Sequence, residues 1–152
     1  MVVPHFINGQ SVPGESRTGV VYNPATGAEL RTVSLADTQT LDDAIAAAEA
    51  ALPGWRKTGL AKRAAVMFNL HNITTSRRDE LAQVISEEHG KVLSDAAGEI
   101  VRGLENVEFC AGLVHHMKGE FLEQAAGGID VHQVRQPVGV VACITPFNFP
   151  AM

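Results

Sequence analysis

Ile144-Thr145-Pro146-Phe147-Asn148-Phe149-Pro150 is the segment whose residue types and spacing best suit chemistry. Pro146 and Pro150 bracket Phe147-Asn148-Phe149 and restrict the backbone on both sides, so that the Asn148 side chain would be held in one direction. A carboxamide fixed in this way is an N–H donor that can stabilise a developing oxyanion, an effect worth about 3–4 kcal/mol for one donor in an organised site. The same asparagine can instead tie a proline-rich turn together through side chain to backbone bonds. The residues alone leave both readings open.

Other reactive types are arranged less suggestively. Glu87-Glu88, Asp42-Asp43 and the set Glu99, Glu105 and Glu108 fall at spacings expected of solvated helix faces, and no acid/base partner follows from spacing. His115 and His116 are adjacent, about 100° apart on a helix, and cannot chelate one metal as an i, i+4 pair could, so no metal site is supported. Cys110 reads as helix packing and Cys143 as a buried strand residue; nothing in the sequence assigns either a base. Neither a GxGxxG nor a GxxxxGK[ST] loop follows a strand.

The elements that must position Asn148 can be read by period. Asn8-Gly9 between apolar residues signals a tight hairpin, and Asn23-Pro24-Ala25-Thr26-Gly27 a second turn between two short strands. From Asp37 the period becomes helical. Asp37 or Thr38 caps a first helix carrying Leu41, Ile45, Ala48 and Leu52, which Pro53-Gly54 should stop. A second helix should carry Leu60, Ala64, Met67 or Phe68, and Leu70. A third runs from about Asp79, capped by Ser76, to Gly90, with Leu81, Val84 and Ile85 inward. A fourth spans about Ser94 to Gly119, with Ile100, Leu104, Val107, Ala111 and Val114 on one face. Its interior glycines, Gly98, Gly103 and Gly112, each cost about 1 kcal/mol relative to alanine and call for close packing or a local break.

After Gly127-Gly128, Ile129 to Val134 alternates as a half-exposed strand. Val138 to Ile144 is instead an unbroken apolar run, the mark of a central parallel strand buried on both faces. A parallel neighbour needs a crossover of a dozen or more residues, usually a helix, and only eight follow Ile144. The expectation is a strand whose sheet lies outside these residues. Ligands of open parallel sheets bind at the carboxyl ends of strands, which is where Asn148 falls.

The averages suit one globular domain: 152 residues, 45% apolar and 19% charged. Twelve basic against seventeen acidic residues give a net charge of −5, with no basic stripe, which argues against nucleic acid as a partner. The longest uncharged stretch, from Gln136 onward, is too short and too proline-rich for a membrane span. Two cysteines and no CxxC pair suit a reducing, cytoplasmic compartment.

VGVVACITPFNFPAM closely resembles the segment that opens the nicotinamide-binding domain of the aldehyde dehydrogenase superfamily. FINGQ, YNPATGAEL, the EEHGK turn at Glu87–Lys91 and RGLENVEF at Arg102–Phe109 stand in the same order and at similar spacing. Phe147, where most of that superfamily has Trp, and RGLENVEF are more similar to its CoA-acylating, methylmalonate-semialdehyde branch. The resemblance covers the whole chain but about the first third of the family's polypeptide. It implies an α/β chain with N-terminal antiparallel hairpins, a helical layer and the first strand of a Rossmann-like parallel sheet, an incomplete aldehyde dehydrogenase fold. Residues 1–152 would be the N-terminal part of the NAD-binding domain, with an oligomerisation-type strand near 129–136.

The activity so implied is the NAD-dependent oxidation of methylmalonate semialdehyde to propionyl-CoA with loss of carbon dioxide, with NAD as cofactor, CoA as co-substrate, and a dimer or tetramer as the assembly. By motif, Asn148 looks like the oxyanion donor, and Ile144, Thr145, Pro146 and Phe147 like residues lining the NAD site. Arg102 looks like the residue that binds the substrate carboxylate, a group that suits a guanidinium fork; its plainer reading is an exposed helix cation. The family's catalytic cysteine lies beyond Met152, and neither Cys110 nor Cys143 stands at its motif, so these residues alone are expected to be inactive. A hydrolytic aldehyde dehydrogenase for another semialdehyde, or a non-catalytic interaction module, are the alternatives.

Overall fold

Asn8 and Gly9 both take positive φ, 51° and 74°, as the Asn-Gly signal requires. They join β2 (His5–Ile7) to β3 (Gln10–Val12) in an antiparallel hairpin with Ile7 opposite Gln10. The computed structural model describes residues 2–14 and 17–152. A second antiparallel pair, β4 (Arg17–Tyr22) and β5 (Glu29–Leu35), flanks the Asn23–Gly27 turn. In that turn the Asn23 Oδ1 accepts from the Ala25 N–H at 2.9 Å and Gly27 has φ +72°. The short β1 (Val2–Val3) pairs with β5 in parallel, which the hairpin signals do not anticipate.

Asp37 caps the first helix as expected: its Oδ1 accepts from the Thr40 N–H at 2.8 Å. That bond and one from the Thr40 hydroxyl hold the Asp37 carboxyl below its ordinary range. The helix, α1 (Thr38–Lys57), continues through Pro53-Gly54 rather than stopping there. Proline removes one N–H from a helix of twenty residues, and the remaining ladder carries the chain on to Thr58. No residue of α1 is buried, and Leu41 and Ile45 lie exposed, because nothing among the described residues covers that stripe.

Helix α2 (Leu60–Ser76) buries only Ala64; Leu60, Phe68 and Leu70 stay exposed. Ser76 does not cap the next helix. It is the last residue of α2, its hydroxyl donates to the Ile73 carbonyl, and Arg77 alone separates α2 from α3 (Arg78–His89). Gly90 ends α3 in the left-handed conformation, φ +80°, with its N–H bonded to the Ser86 carbonyl.

Helix α4 (Leu93–Gly112) carries the expected apolar stripe, with Ile100, Leu104 and Ala111 buried. It is shorter than its periodicity suggests, tightening at Leu113–His115 into a single 3₁₀ turn. Ala82, Ile85, Ala96, Ile100 and Leu104 form the core between α3 and α4, with Leu81 and Ala97 against it. Of the three interior glycines, Gly103 alone meets another part of the chain, the backbone of Ala151 and Met152; Gly98 faces open space within α4, and Gly112 is the residue at which α4 gives way to the 3₁₀ turn.

The chain then forms a hairpin of β6 (Phe121–Ala126) and β7 (Ile129–His132), exposed along its whole length. The sequence signal marks only the second of these strands; Glu123-Gln124-Ala125-Ala126 lacks β-branched residues, and Gln124 takes φ +52° where the register slips. Val138–Ile144, read as a buried central strand, pairs with no segment among the described residues. Without a neighbouring strand its residues are bare: Val138 and Ile144 are each 98% exposed and Cys143 is exposed too. Among the described residues no helix is long and apolar enough to cross a membrane.

Candidate functional site

The turn that carries Asn148 is tied to the helical layer through two charged residues. Gly90 reverses the chain after α3, and the Ser86 hydroxyl donates to the Lys91 carbonyl at 2.8 Å, fixing Lys91 at the entrance to α4. The Lys91 ammonium donates to Glu99 Oε2 at 2.6 Å, a pair whose side chains are 13% and 0% exposed. The same nitrogen donates to the Asn148 main-chain carbonyl at 3.0 Å and lies 4.5 Å from the centre of the Phe149 ring, within cation–π range.

Glu99 completes the attachment. Its Oε1 accepts from the N–H groups of Ala151 at 2.7 Å and Met152 at 3.2 Å. That backbone lies on α4 beside Gly103, where a Cβ would stand 3.4 Å from Met152 Cα, in ordinary van der Waals contact. Burial alone pushes the Glu99 carboxyl up. The hydrogen bonds from Lys91, Ala151 and Met152, with the Lys91 charge, outweigh it and hold Glu99 below the ordinary 4.5.

Glu99 therefore corrects the reading of it as part of a solvated face. A signal was present: Ala96, Glu99, Ile100 and Leu104 share one buried stripe, and a carboxylate inside such a stripe demands a cationic partner. The sequence reading also passed over Lys91 as a site residue.

The residues read from sequence are distributed unevenly. Asn148 is exposed, and its carboxamide makes no hydrogen bond among the described residues; Lys91 and Glu99 tie the turn instead through its main chain. Phe147 is 90% exposed and forms part of an open apolar cleft of about 530 Å³ with Thr74, Leu81, Val84, Ile85 and Ile100. Ile144, Thr145 and Pro146 precede it, all exposed. An apolar edge of this kind, with one hydroxyl, fits one wall of a dinucleotide site, since cofactor clefts are lined mostly by apolar side chains with a few polar groups. Arg102 sits on α4 beside Gly103, with its guanidinium exposed and joined to no other side chain among the described residues. No contact brings it to Asn148. Cys110 is exposed, although it also lines apolar clefts beside Met67.

The aldehyde dehydrogenase family model matches residues 11–152, and the chain belongs to that family. Over 148 residues it is 48% identical to a malonate-semialdehyde dehydrogenase of Pseudomonas aeruginosa, covering 97% of this chain and 30% of that protein. The crystal structure of a methylmalonate-semialdehyde dehydrogenase from Oceanimonas doudoroffii is similar with a TM-score of 0.96 and 47% identity, over 99% of this chain and 31% of the other. A Sinorhizobium meliloti protein crystallised with NAD has the same TM-score at 46% identity, over 100% of this chain and 31% of its own. The chain thus spans about 30% of the length of the relatives it matches. The α/β architecture is that of the N-terminal part of the aldehyde dehydrogenase fold.

Proposed function

We propose that the polypeptide carrying this sequence is an NAD-dependent, CoA-acylating aldehyde dehydrogenase that converts methylmalonate semialdehyde, CoA and NAD to propionyl-CoA, carbon dioxide and NADH. The observation that carries the reading is the Asn148 carboxamide, without a hydrogen bond among the described residues, on a turn whose main chain is anchored by Lys91 and Glu99. As a cysteine thiolate from another part of the family's polypeptide attacks the aldehyde carbon, the carbonyl oxygen gains charge, and the Asn148 N–H donates to it. Ile144, Thr145, Pro146 and Phe147 hold the dinucleotide, which when bound accepts the hydride that leaves the aldehyde carbon. The carboxylate of the thioester so formed is β to the thioester carbonyl, so its C–C bond breaks to release carbon dioxide. The electron pair passes into the thioester enolate and a proton from water gives the propionyl thioester; CoA then takes that propionyl group as its thiolate displaces the cysteine thiolate.

Arg102 binds the substrate carboxylate in this reading. Support for a carboxylated semialdehyde comes from relatives named for malonate and methylmalonate semialdehydes. The two substrates differ by a methyl group, which a hydrophobic pocket discriminates by only about 1–3 kcal/mol. Residues 1–152 form the N-terminal part of the NAD-binding domain, the strand near 129–136 is an oligomerisation element of a dimer or tetramer, and the enzyme is cytoplasmic.

The test is the full-length polypeptide assayed for NADH formation from methylmalonate semialdehyde with and without CoA. Propionyl-CoA as product supports the acylating reading, whereas a free acid formed equally fast without CoA selects a hydrolytic enzyme. Asn148→Ala should slow acylation about 10²–10³-fold in single turnover; an unchanged rate removes Asn148 from the reaction.

A further inference from the structure

Four main-chain and side-chain contacts converge on the short segment that carries Asn148, and all four come from two residues of the helical layer. Lys91 reaches the Asn148 carbonyl and the Phe149 ring; Glu99 takes the N–H groups of Ala151 and Met152; and the two are joined to each other at 2.6 Å. The anchors lie on both sides of Pro150, so the turn is held before and after its rigid residue. None of these contacts uses the Asn148 carboxamide. They fix the backbone from which it projects, and its N–H groups make no hydrogen bond among the described residues.

We propose that Lys91 and Glu99 are positioning residues: the buried ion pair sets the direction of the Asn148 side chain, so that its N–H is aimed before substrate arrives. The proposal rests on the reading of Asn148 as the oxyanion donor. A surface ion pair would be a poor device for this, because exposed charges gain little from pairing and their long side chains stay mobile. Here Glu99 is fully enclosed, Lys91 nearly so, and breaking such a pair leaves an uncompensated charge that must find water or another partner. The low mobility of the pair is passed to the turn through hydrogen bonds of 2.7–3.2 Å to its backbone. Misplacing a catalytic group by about 1 Å can cost about 10²-fold in rate.

The experiment is a double-mutant cycle in the full-length enzyme, read as the single-turnover acylation rate at saturating NAD, with Lys91→Met, Asn148→Ala and the double variant. Lys91→Met should slow acylation by about 10–100-fold when Asn148 is present and have no further effect when Asn148 is alanine. Multiplying effects in the double variant would refute positioning while leaving the oxyanion reading intact. A wild-type rate for Lys91→Met would do the same. A wild-type rate for Asn148→Ala would remove the donor itself and, with it, anything for Lys91 to position. Should Lys91→Met not fold, Glu99→Gln serves in the same cycle with the same outcomes. Hydrogen exchange at Ala151 and Met152 should quicken in Glu99→Gln in step with the lost rate, and unchanged exchange together with an unchanged rate would overturn the proposal.

Discussion

Replacing Gly90 with alanine tests whether the turn before Lys91 is fixed by its conformation alone or also by what it packs on. Gly90 has φ +80°, a conformation that costs an L-residue about 1–2 kcal/mol. Gly27, at φ +72°, carries the same conformational demand, yet a Cβ there meets nothing within 4 Å. At Gly90 a Cβ would stand 2.8 Å from Pro24 Cγ and 3.6 Å from Pro24 Cβ. A proline ring cannot swing aside as a flexible side chain would, so the Asn23–Gly27 turn or the end of α3 must move. Forced overpacking of this kind costs about 1–3 kcal/mol. Gly27→Ala should therefore destabilise by about 1–2 kcal/mol, and Gly90→Ala by that amount plus about 1–3 kcal/mol. Urea unfolding followed by far-ultraviolet circular dichroism, with equal m-values, measures both. Pro24→Ala in the Gly90→Ala background should recover most of the difference. Equal losses for the two glycine variants would refute the claim that Pro24 constrains the EEHGK turn.

Two further outcomes follow from the site. Glu99 is held below its ordinary 4.5, so it contributes stability that is present above pH 4.5 and is lost as the pH falls through its lower folded value; Glu99→Gln should flatten the acid limb of a thermal melt series, and an unchanged limb would contradict the burial of a charged carboxylate. Arg102→Leu should raise the KM for methylmalonate semialdehyde far more than for propanal, and equal effects on both would make Arg102 a helix cation without a substrate role.

Local chemistry was the most legible part of the fold. The Asn8-Gly9 hairpin, the Asp37 cap and the Gly90 C-cap each depend on a few adjacent residues, and each stands where the pattern puts it. Positions that depend on partners remote in sequence were harder to read. Glu99 resembles any helix carboxylate until Lys91, eight residues earlier, and the backbone more than fifty residues later are placed around it. Helix α1 shows the converse, a well-formed apolar stripe with no described surface to bury it. The segment around Asn148 stands out in the sequence because proline spacing and an apolar run are local signals, whereas the ion pair beneath it does not. Ser76 failed as a cap because α2 continues through it and its hydroxyl turns back to donate to the Ile73 carbonyl.

Val138–Ile144 has a consequence for how such a polypeptide is made. Apolar, uncharged and with no strand beside them among the described residues, these residues have the properties that let nascent chains associate with one another. Synthesis proceeds at about 5–20 residues per second, so any strand supplied tens of residues later arrives after an interval of seconds. During that interval Pro137 and Pro146, one at each end of the run, limit its ability to add to a growing sheet. Pro146, which restricts the backbone before Asn148, thus also stands as one of the two guards of the run against premature pairing.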